Sequence, residues 1–337
     1  MTGKSALDTH ALFTHSPNFK NMSRVSHLLR KVLGVSKSPP IPPGGFALGM
    51  TVKNEQSFCR QYARDRYTGV GEIVDLGCWM GATTIAFSKG LAKNGKLACG
   101  ANRKRIHSYD LFQWHPTMDR EVKGTPLEGK FKPGESFLAE FELRTKRYEA
   151  HFTIHPGDVS GHPWNHGPIE LLFVDAMKAA DTARVIVRDF YPHLIPGVSV
   201  VAHQDFAHFF TGWIHLIQYR LRDYFEFESE VKRACTVVFR LTKSIPAELL
   251  DQDWSLEKVS LAELNAAFDY SASLVGADKQ EQIASACAMA HLHRGERDLA
   301  EQVAKDFLWK NVAELLYRDQ RPDLVDVREA LDKQSPK

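Results

Sequence analysis

Cysteine is scarce and odd in number. The five cysteines, Cys59, Cys78, Cys99, Cys235 and Cys287, lie far apart, and no two have Cys-x-x-Cys spacing. Neither a zinc module nor a disulfide framework is indicated. Cys78 and Cys235 sit in apolar stretches and read as buried thiols, which fits a reducing compartment. Long apolar runs are also missing. None approaches the ~18 residues that a membrane span requires, and the N-terminus lacks the hydrophobic core of a signal peptide. The expectation is a soluble cytoplasmic chain with no membrane partner. Charge of one sign is missing too, since 43 Lys and Arg stand against 41 Asp and Glu, for a net charge of +2. That balance argues against nucleic acid as a partner, and Arg103-Lys104-Arg105 reads as a solvated loop. The dinucleotide fingerprint G-x-G-x-x-G is absent as well.

What is present centres on Gly71-Glu-Ile-Val-Asp-Leu-Gly-Cys-Trp-Met-Gly-Ala-Thr-Thr84. Ile73 to Leu76 reads as a short buried strand, Gly77 and Gly81 as a turn, and Ala82 to Gly90 as a helix. Strand, glycine turn and helix form the first unit of a nucleotide-binding open sheet. Glycines let the backbone pass close to a ligand, and the helix start offers free N–H groups. The spacing is D-x-G-x-x-x-G, with an acid on the strand.

Further strand-helix units follow. Thr51 to Tyr67 reads as a leading helix. Arg105 to Phe112 is a strand ending in Asp110, and a carboxylate there can accept from two ribose hydroxyls. Trp114 to Gly134 is an irregular excursion, and Glu135 to Tyr148 a helix. His151 to His155 is a strand leading to Asp158, which either approaches an adenine or caps its loop. Ile169 to Asp175 is apolar enough to be covered on both faces. A helix from Thr182 to Leu194 precedes the strand Val198 to Ala202, which delivers His203-Gln204-Asp205 to the same edge. A helix from Trp213 to Tyr224 and two closing strands, Phe225 to Glu230 and Cys235 to Leu241, complete a seven-stranded doubly wound α/β sheet, mostly parallel, with the final strand antiparallel. Three regions are expected: an N-terminal arm and Pro-rich linker (1–45), with helical spacing at Val25, Leu28, Leu29, Val32 and Leu33; the sheet domain (46–243); and a C-terminal helical appendage (244–337) suited to homo-oligomer formation or substrate-side closure.

Asp75, Asp110, Asp158, Asp175 and Asp205 thus gather at the carboxyl ends of the strands, where open α/β sheets bind ligands. Val74-Asp-Leu-Gly-Cys-Trp-Met-Gly-Ala-Thr83, Ser108-Tyr-Asp-Leu-Phe112, Pro156-Gly-Asp158, Phe173-Val-Asp-Ala-Met-Lys178 and the run Tyr191 to Phe206 together resemble class I S-adenosylmethionine-dependent methyltransferases. More narrowly they are similar to the macrocin-type sugar O-methyltransferase branch. The resemblance covers about 45–241. It implies a Rossmann-like methyltransferase fold and S-adenosylmethionine as cofactor. Asp75, Gly77 and Gly81 would surround the methionine part, Asp110 would hold the ribose, Asp158 would lie beside the adenine, and Cys78 and Trp79 would supply backbone and wall.

The same resemblance makes Asp175, Gln204 and Asp205 a candidate Mg2+ set, in which the ion would position and acidify a substrate hydroxyl. Lys178 falls where catechol-type relatives carry a general base. The sequence departs from both patterns: the sugar branch has paired acids where Gln204-Asp205 stands, and the catechol branch has acid before amide. His203 and His208 offer a metal-free base instead, and Phe206 and Phe209 could line an acceptor pocket. Pro163 and Gly167 argue against a helical zinc pair at His162 and His166. The leading expectation is O-methylation of a small-molecule hydroxyl on a sugar or natural product. The alternatives are a cofactor-binding interaction module without turnover and a nicotinamide-dependent oxidoreductase.

Overall fold

β1, Glu72–Leu76, is buried at every position and lies at the centre of one sheet. The structure, a computed structural model, describes residues 46–97, 104–308, 327, 329–331 and 333. The helix read into 25–33, the linker at 36–45, Cys99 and Arg103 lie outside them. β1 pairs in parallel with β2, Ile106–Asp110, on one side and with β4, Ile169–Val174, on the other. β3, Phe152–Pro156, extends the sheet beyond β2, and β5, Val200–His203, beyond β4. β7, Val237–Leu241, inserts antiparallel between β5 and β6, Phe225–Glu230. The order is β3-β2-β1-β4-β5-β7-β6. The seven-stranded sheet and its antiparallel final strand are as the sequence predicts. Because the chain leaves β3 at one edge and returns to β4 beside β1, the strand order reverses at β1, and a crevice opens there above the carboxyl ends.

β4 carries Ile169, Leu171, Leu172, Phe173 and Val174, all buried, as a strand flanked on both sides must. Its one acid, Glu170, is satisfied by the turn before β1: the backbone N–H groups of Thr68, Gly69 and Val70 donate to its carboxylate at 2.6, 2.9 and 3.0 Å. This ties the starts of β1 and β4 together.

The helices are α1 (Lys53–Gln61), α2 (Ala82–Leu91), α3 (Leu138–Thr145), α4 (Ala180–Phe190), α5 (Gly212–Arg220), α6 (Leu261–Ser273), α7 (Ala277–His293) and α8 (Arg297–Val303). α1 and α3 are shorter than the apolar spacing predicts, and α1 widens into a looser turn over Tyr62–Arg66. α4 presents Ala183, Ile186, Val187 and Phe190 to the sheet, one side of a 3.6-residue repeat. The helices after β7 continue the same packing: Leu264 and Phe268 of α6 and Ile283, Ala286 and Ala290 of α7 belong to the buried cluster that holds Ile214, Ile217 and Phe239. No helix among the described residues is long and apolar enough to cross a membrane.

The described residues divide into two compact units. The larger takes in Ala47–Leu111 and the chain from Phe141 onward. The smaller holds Phe46 and Phe112–Glu140, and it has an aromatic cluster of its own. Trp114 stacks on Phe131 at 5.0 Å, Phe137 meets Phe112 edge-on at 5.5 Å, and the Trp114 indole N–H donates to Asp119 at 2.8 Å. The excursion read as irregular therefore carries local order.

Candidate functional site

The turn after β1 is built on backbone conformations that demand glycine. Gly77 and Gly81 have φ of +84° and +83°, and Trp79 between them has φ of +41°. At Gly77 a Cβ would lie 2.4 Å from the Asp175 carbonyl oxygen, and at Gly81 it would lie 2.6 Å from the Thr145 methyl. Both glycines are thus required by close approach to the protein's own chain, which differs from the approach to a ligand that the sequence suggests. Cys78 and Trp79 are buried, and burial pushes the Cys78 thiol well up, leaving it unreactive.

Asp75 lies on β1 beneath this turn and is fully buried. The Thr83 and Thr84 hydroxyls donate to its Oδ2 at 2.8 and 2.7 Å. Its Oδ1 is buried with no donor among the described residues. Burial raises the carboxyl to about 6, with the two threonine bonds opposing that shift. An orphaned carboxylate oxygen next to a glycine turn fits the cationic end of a methionine-type ligand.

Asp110 ends β2 beside the same turn. The Trp79 amide donates to its Oδ2 at 2.8 Å, so the acid and the turn are locked to each other. A carboxylate has about four acceptor directions, enough for a backbone amide and a diol together. Asp158 resolves toward the capping alternative: its Oδ1 accepts from the Ser160 amide at 2.8 Å, and these Ser160 bonds hold its carboxyl below the usual range.

Asp175, Lys178, Gln204 and Asp205 do come together. The Lys178 ammonium donates to Asp175 Oδ1 at 2.9 Å and also to Asp205 Oδ2. Burial raises the Asp175 carboxyl, against the pull of Lys178. Burial acts the same way on Asp205, but there the ammonium more than offsets it and the carboxyl is lowered. Lys178 itself is pushed up by the two acids although burial opposes this. A fifth member, Glu55 on α1, is one that reading the sequence missed. It is 1 % exposed and accepts from the Thr236 hydroxyl at 2.6 Å, the Val52 amide at 2.8 Å and the Gln204 side-chain amide at 3.4 Å. Its only sequence signal is an acid in the first turn of the leading helix. Burial, and then the charge of Asp205, raise its carboxyl.

This geometry corrects two expectations. Lys178 is held as a cation, so it is not a free general base. The same cation lies between the two carboxylates expected to bind Mg2+, so the set as it stands fits an ammonium rather than a metal, and no step is derived through magnesium. A third correction concerns His203. It is fully buried, its Nε2 is within 3.2 Å of the Tyr191 hydroxyl and 2.8 Å of the Gln218 amide nitrogen, and burial lowers it to about 3. It is a neutral core histidine with no route to a substrate proton. Phe206, expected at an acceptor pocket, is also fully buried, 5.4 Å from the Phe239 ring and 4.9 Å from that of His215.

Residues 74–204 match the family model described as a methyltransferase domain. Among solved structures, the chain is similar to the O-methyltransferase NovP, at 18 % identity over 58 % of this chain and 83 % of that one, with a TM-score of 0.44. It is also similar to a structure described as "a putative O-methyltransferase from Klebsiella pneumoniae", at 12 % identity over 65 % of this chain and 97 % of that one, with a TM-score of 0.35. No curated protein matches the chain. The glycine turn between β1 and α2 and the acid closing β2 both fall inside the matched segment: residues 74–204 resemble a methyltransferase domain, a family whose cofactor is S-adenosylmethionine.

Proposed function

We propose that the protein transfers a methyl group from S-adenosylmethionine to a hydroxyl oxygen of a small molecule, without a metal ion. The observation that carries this reading is the pairing of two sites on one sheet edge: a glycine turn locked to Asp110, and a buried acid cluster around Lys178 beyond β4 and β5. When bound, S-adenosylmethionine supplies an electrophilic methyl on a sulfonium. Asp75 Oδ1 would receive the cationic end of the methionine part, and Asp110 would accept from the ribose hydroxyls.

The acceptor oxygen then lies against the Lys178 ammonium, which orients it and favours its anionic form. Asp175 takes the proton, because burial makes its carboxylate more basic than an exposed one. Attack on a sulfonium needs little beyond alignment and a base. Glu55 accepts from the Gln204 side chain and so holds the residue next to Asp205 in place. The sugar or natural-product acceptor belongs to this proposal by the resemblance of the glycine turn and the acid-hydrophobic-aromatic run at Asp110.

The reading is tested by transfer of a labelled methyl group to a panel of sugar, phenol and aliphatic hydroxyl acceptors. Asp175→Asn is expected to lower kcat by at least ~100-fold, the range of a lost general base, with S-adenosylmethionine affinity unchanged. Full activity in that variant would remove Asp175 from the reaction. Cofactor binding without transfer to any acceptor would favour a binding module instead.

A further inference from the structure

Three histidines that the methyltransfer reading does not use converge on one face of the sheet. His107 lies in the middle of β2, His155 near the end of β3, and His166 in the loop before β4. One ring nitrogen from each falls within 4.8 Å of the other two. His107 Nδ1 and His155 Nε2 are 2.9 Å apart and share a proton, and the His166 ring lies 4.6 Å from that of His107 and 5.3 Å from that of His155. Among the described residues no other group of three His, Cys, Asp or Glu side chains meets this spacing. The primary sequence hides it, because the three residues come from three separate segments and only the β2–β3 register brings them together.

The rings are held by their surroundings. Tyr109 stacks on His155 at 4.2 Å with the planes 11° apart. Trp164 meets His107 edge-on at 4.9 Å and His166 at 5.1 Å. The Trp164 indole N–H donates to the Gly167 carbonyl at 2.5 Å, which fixes the loop that carries His166. Burial is graded: His107 is buried, His155 half-buried and His166 exposed. An ion reaching the group from the His166 side would keep one position open to water.

We propose that His107, His155 and His166 bind a single divalent transition-metal ion of the zinc class, with water as the remaining ligand. Three imidazoles suit Zn2+, Co2+, Ni2+ or Cu2+ and are poor ligands for Mg2+ or Ca2+. Two nitrogens 2.9 Å apart are close to the ~3.3 Å edge of a tetrahedron with Zn–N bonds near 2.0–2.1 Å. The metal takes the place of the shared proton, which moves to the other nitrogen of the same ring by tautomer exchange. Binding would tie β2 and β3 to the loop before β4, and it does not depend on the methyltransferase reading.

The test uses the full chain, stripped with a chelator and titrated with Zn2+ against a chromophoric competitor, and with Co2+ followed by its visible spectrum. Wild type is expected to bind one equivalent tightly, with a tetrahedral Co2+ spectrum and a raised Tm. His166→Ala alters an exposed side chain and keeps the fold; it is expected to lose at least ~100-fold in affinity, since even outer partners of metal ligands are worth 10–100-fold. His155→Ala should behave alike, and His293→Ala, outside the group, should bind as wild type does. Failure of wild type to bind one equivalent, or unchanged affinity in both His155→Ala and His166→Ala, overturns the proposal and leaves the histidines as a packing cluster.

Discussion

The Trp79 amide donates to Asp110 at 2.8 Å, joining the glycine turn after β1 to the acid that ends β2. Trp79 adopts a positive φ between two glycines that do the same. One hydrogen bond therefore fixes both the shape of the turn and the direction of the acid. The pair is preorganised, so a nucleoside ligand meets a site whose ordering cost is already met.

Asp75 sets function against stability. Its carboxyl is raised to about 6 by burial, above its unfolded value of about 3.9. The folded state holds that proton more tightly than the unfolded chain. The contribution to stability is therefore fully present below about pH 4 and is lost as pH rises through 6. Asp75→Asn keeps acceptors for Thr83 and Thr84 and removes the charge. It is expected to stabilise the free protein at pH 7.5 by on the order of 2 kcal/mol and to weaken S-adenosylmethionine binding. Denaturant titration at pH 4 and pH 7.5 checks this; a variant less stable than wild type at pH 7.5 contradicts it.

Lys178 neutralises two acids at once. Lys178→Met leaves Asp175 and Asp205 facing each other with Glu55 close by. The expected cost is about 1–3 kcal/mol at pH 7.5, below that of a fully buried pair because the lysine side chain is half exposed. Without the ammonium both acids rise in pKa, so acidification should restore stability to the variant relative to wild type. Melting curves from pH 5 to 8 read this directly. A difference that does not shrink at low pH would show that the ion pairs are not its source.

Acid should unfold the protein through its core histidines. His203 and His215 are both lowered to about 3 by burial. The unfolded chain takes up protons near 6.5, so each histidine's contribution is present above that pH and is lost as pH falls toward 3. His215 lies between the rings of Phe206 and Phe268 at 4.9 and 4.6 Å, and neither of its nitrogens has a hydrogen-bond partner among the described residues. His215→Phe is expected to raise stability and to reduce acid sensitivity by about 2 kcal/mol at pH 5. Equal acid sensitivity in variant and wild type would contradict the burial argument.

The sheet was legible because β1 and β4 are short apolar runs ending in acids, with glycines marking the turns. Asp75, Asp110, Asp175 and Asp205 follow from the same logic, since strand ends gather at one edge whatever the exact register. Side-chain direction was not legible. His203 belongs to β5, but its ring turns into the core toward Tyr191 and Gln218. Lys178 looked like a base because sequence cannot show that two carboxylates clamp it. Glu55 stayed hidden because its partners, Gln204 and Thr236, are remote in the chain. The histidine group escaped for the same reason: Pro163 and Gly167 ruled out a helical pair, and the strand register that joins His107 to His155 cannot be read from spacing.

The central claim is that the turn from Asp75 to Gly81 and Asp110 bind S-adenosylmethionine. The most direct measurement is calorimetric titration of wild type and Asp110→Ala with this cofactor. Wild type should bind one equivalent. The variant should bind about 10–100-fold more weakly, the worth of one or two hydrogen bonds to a charged group. Equal affinity in the two proteins, or no binding to wild type, would contradict the account.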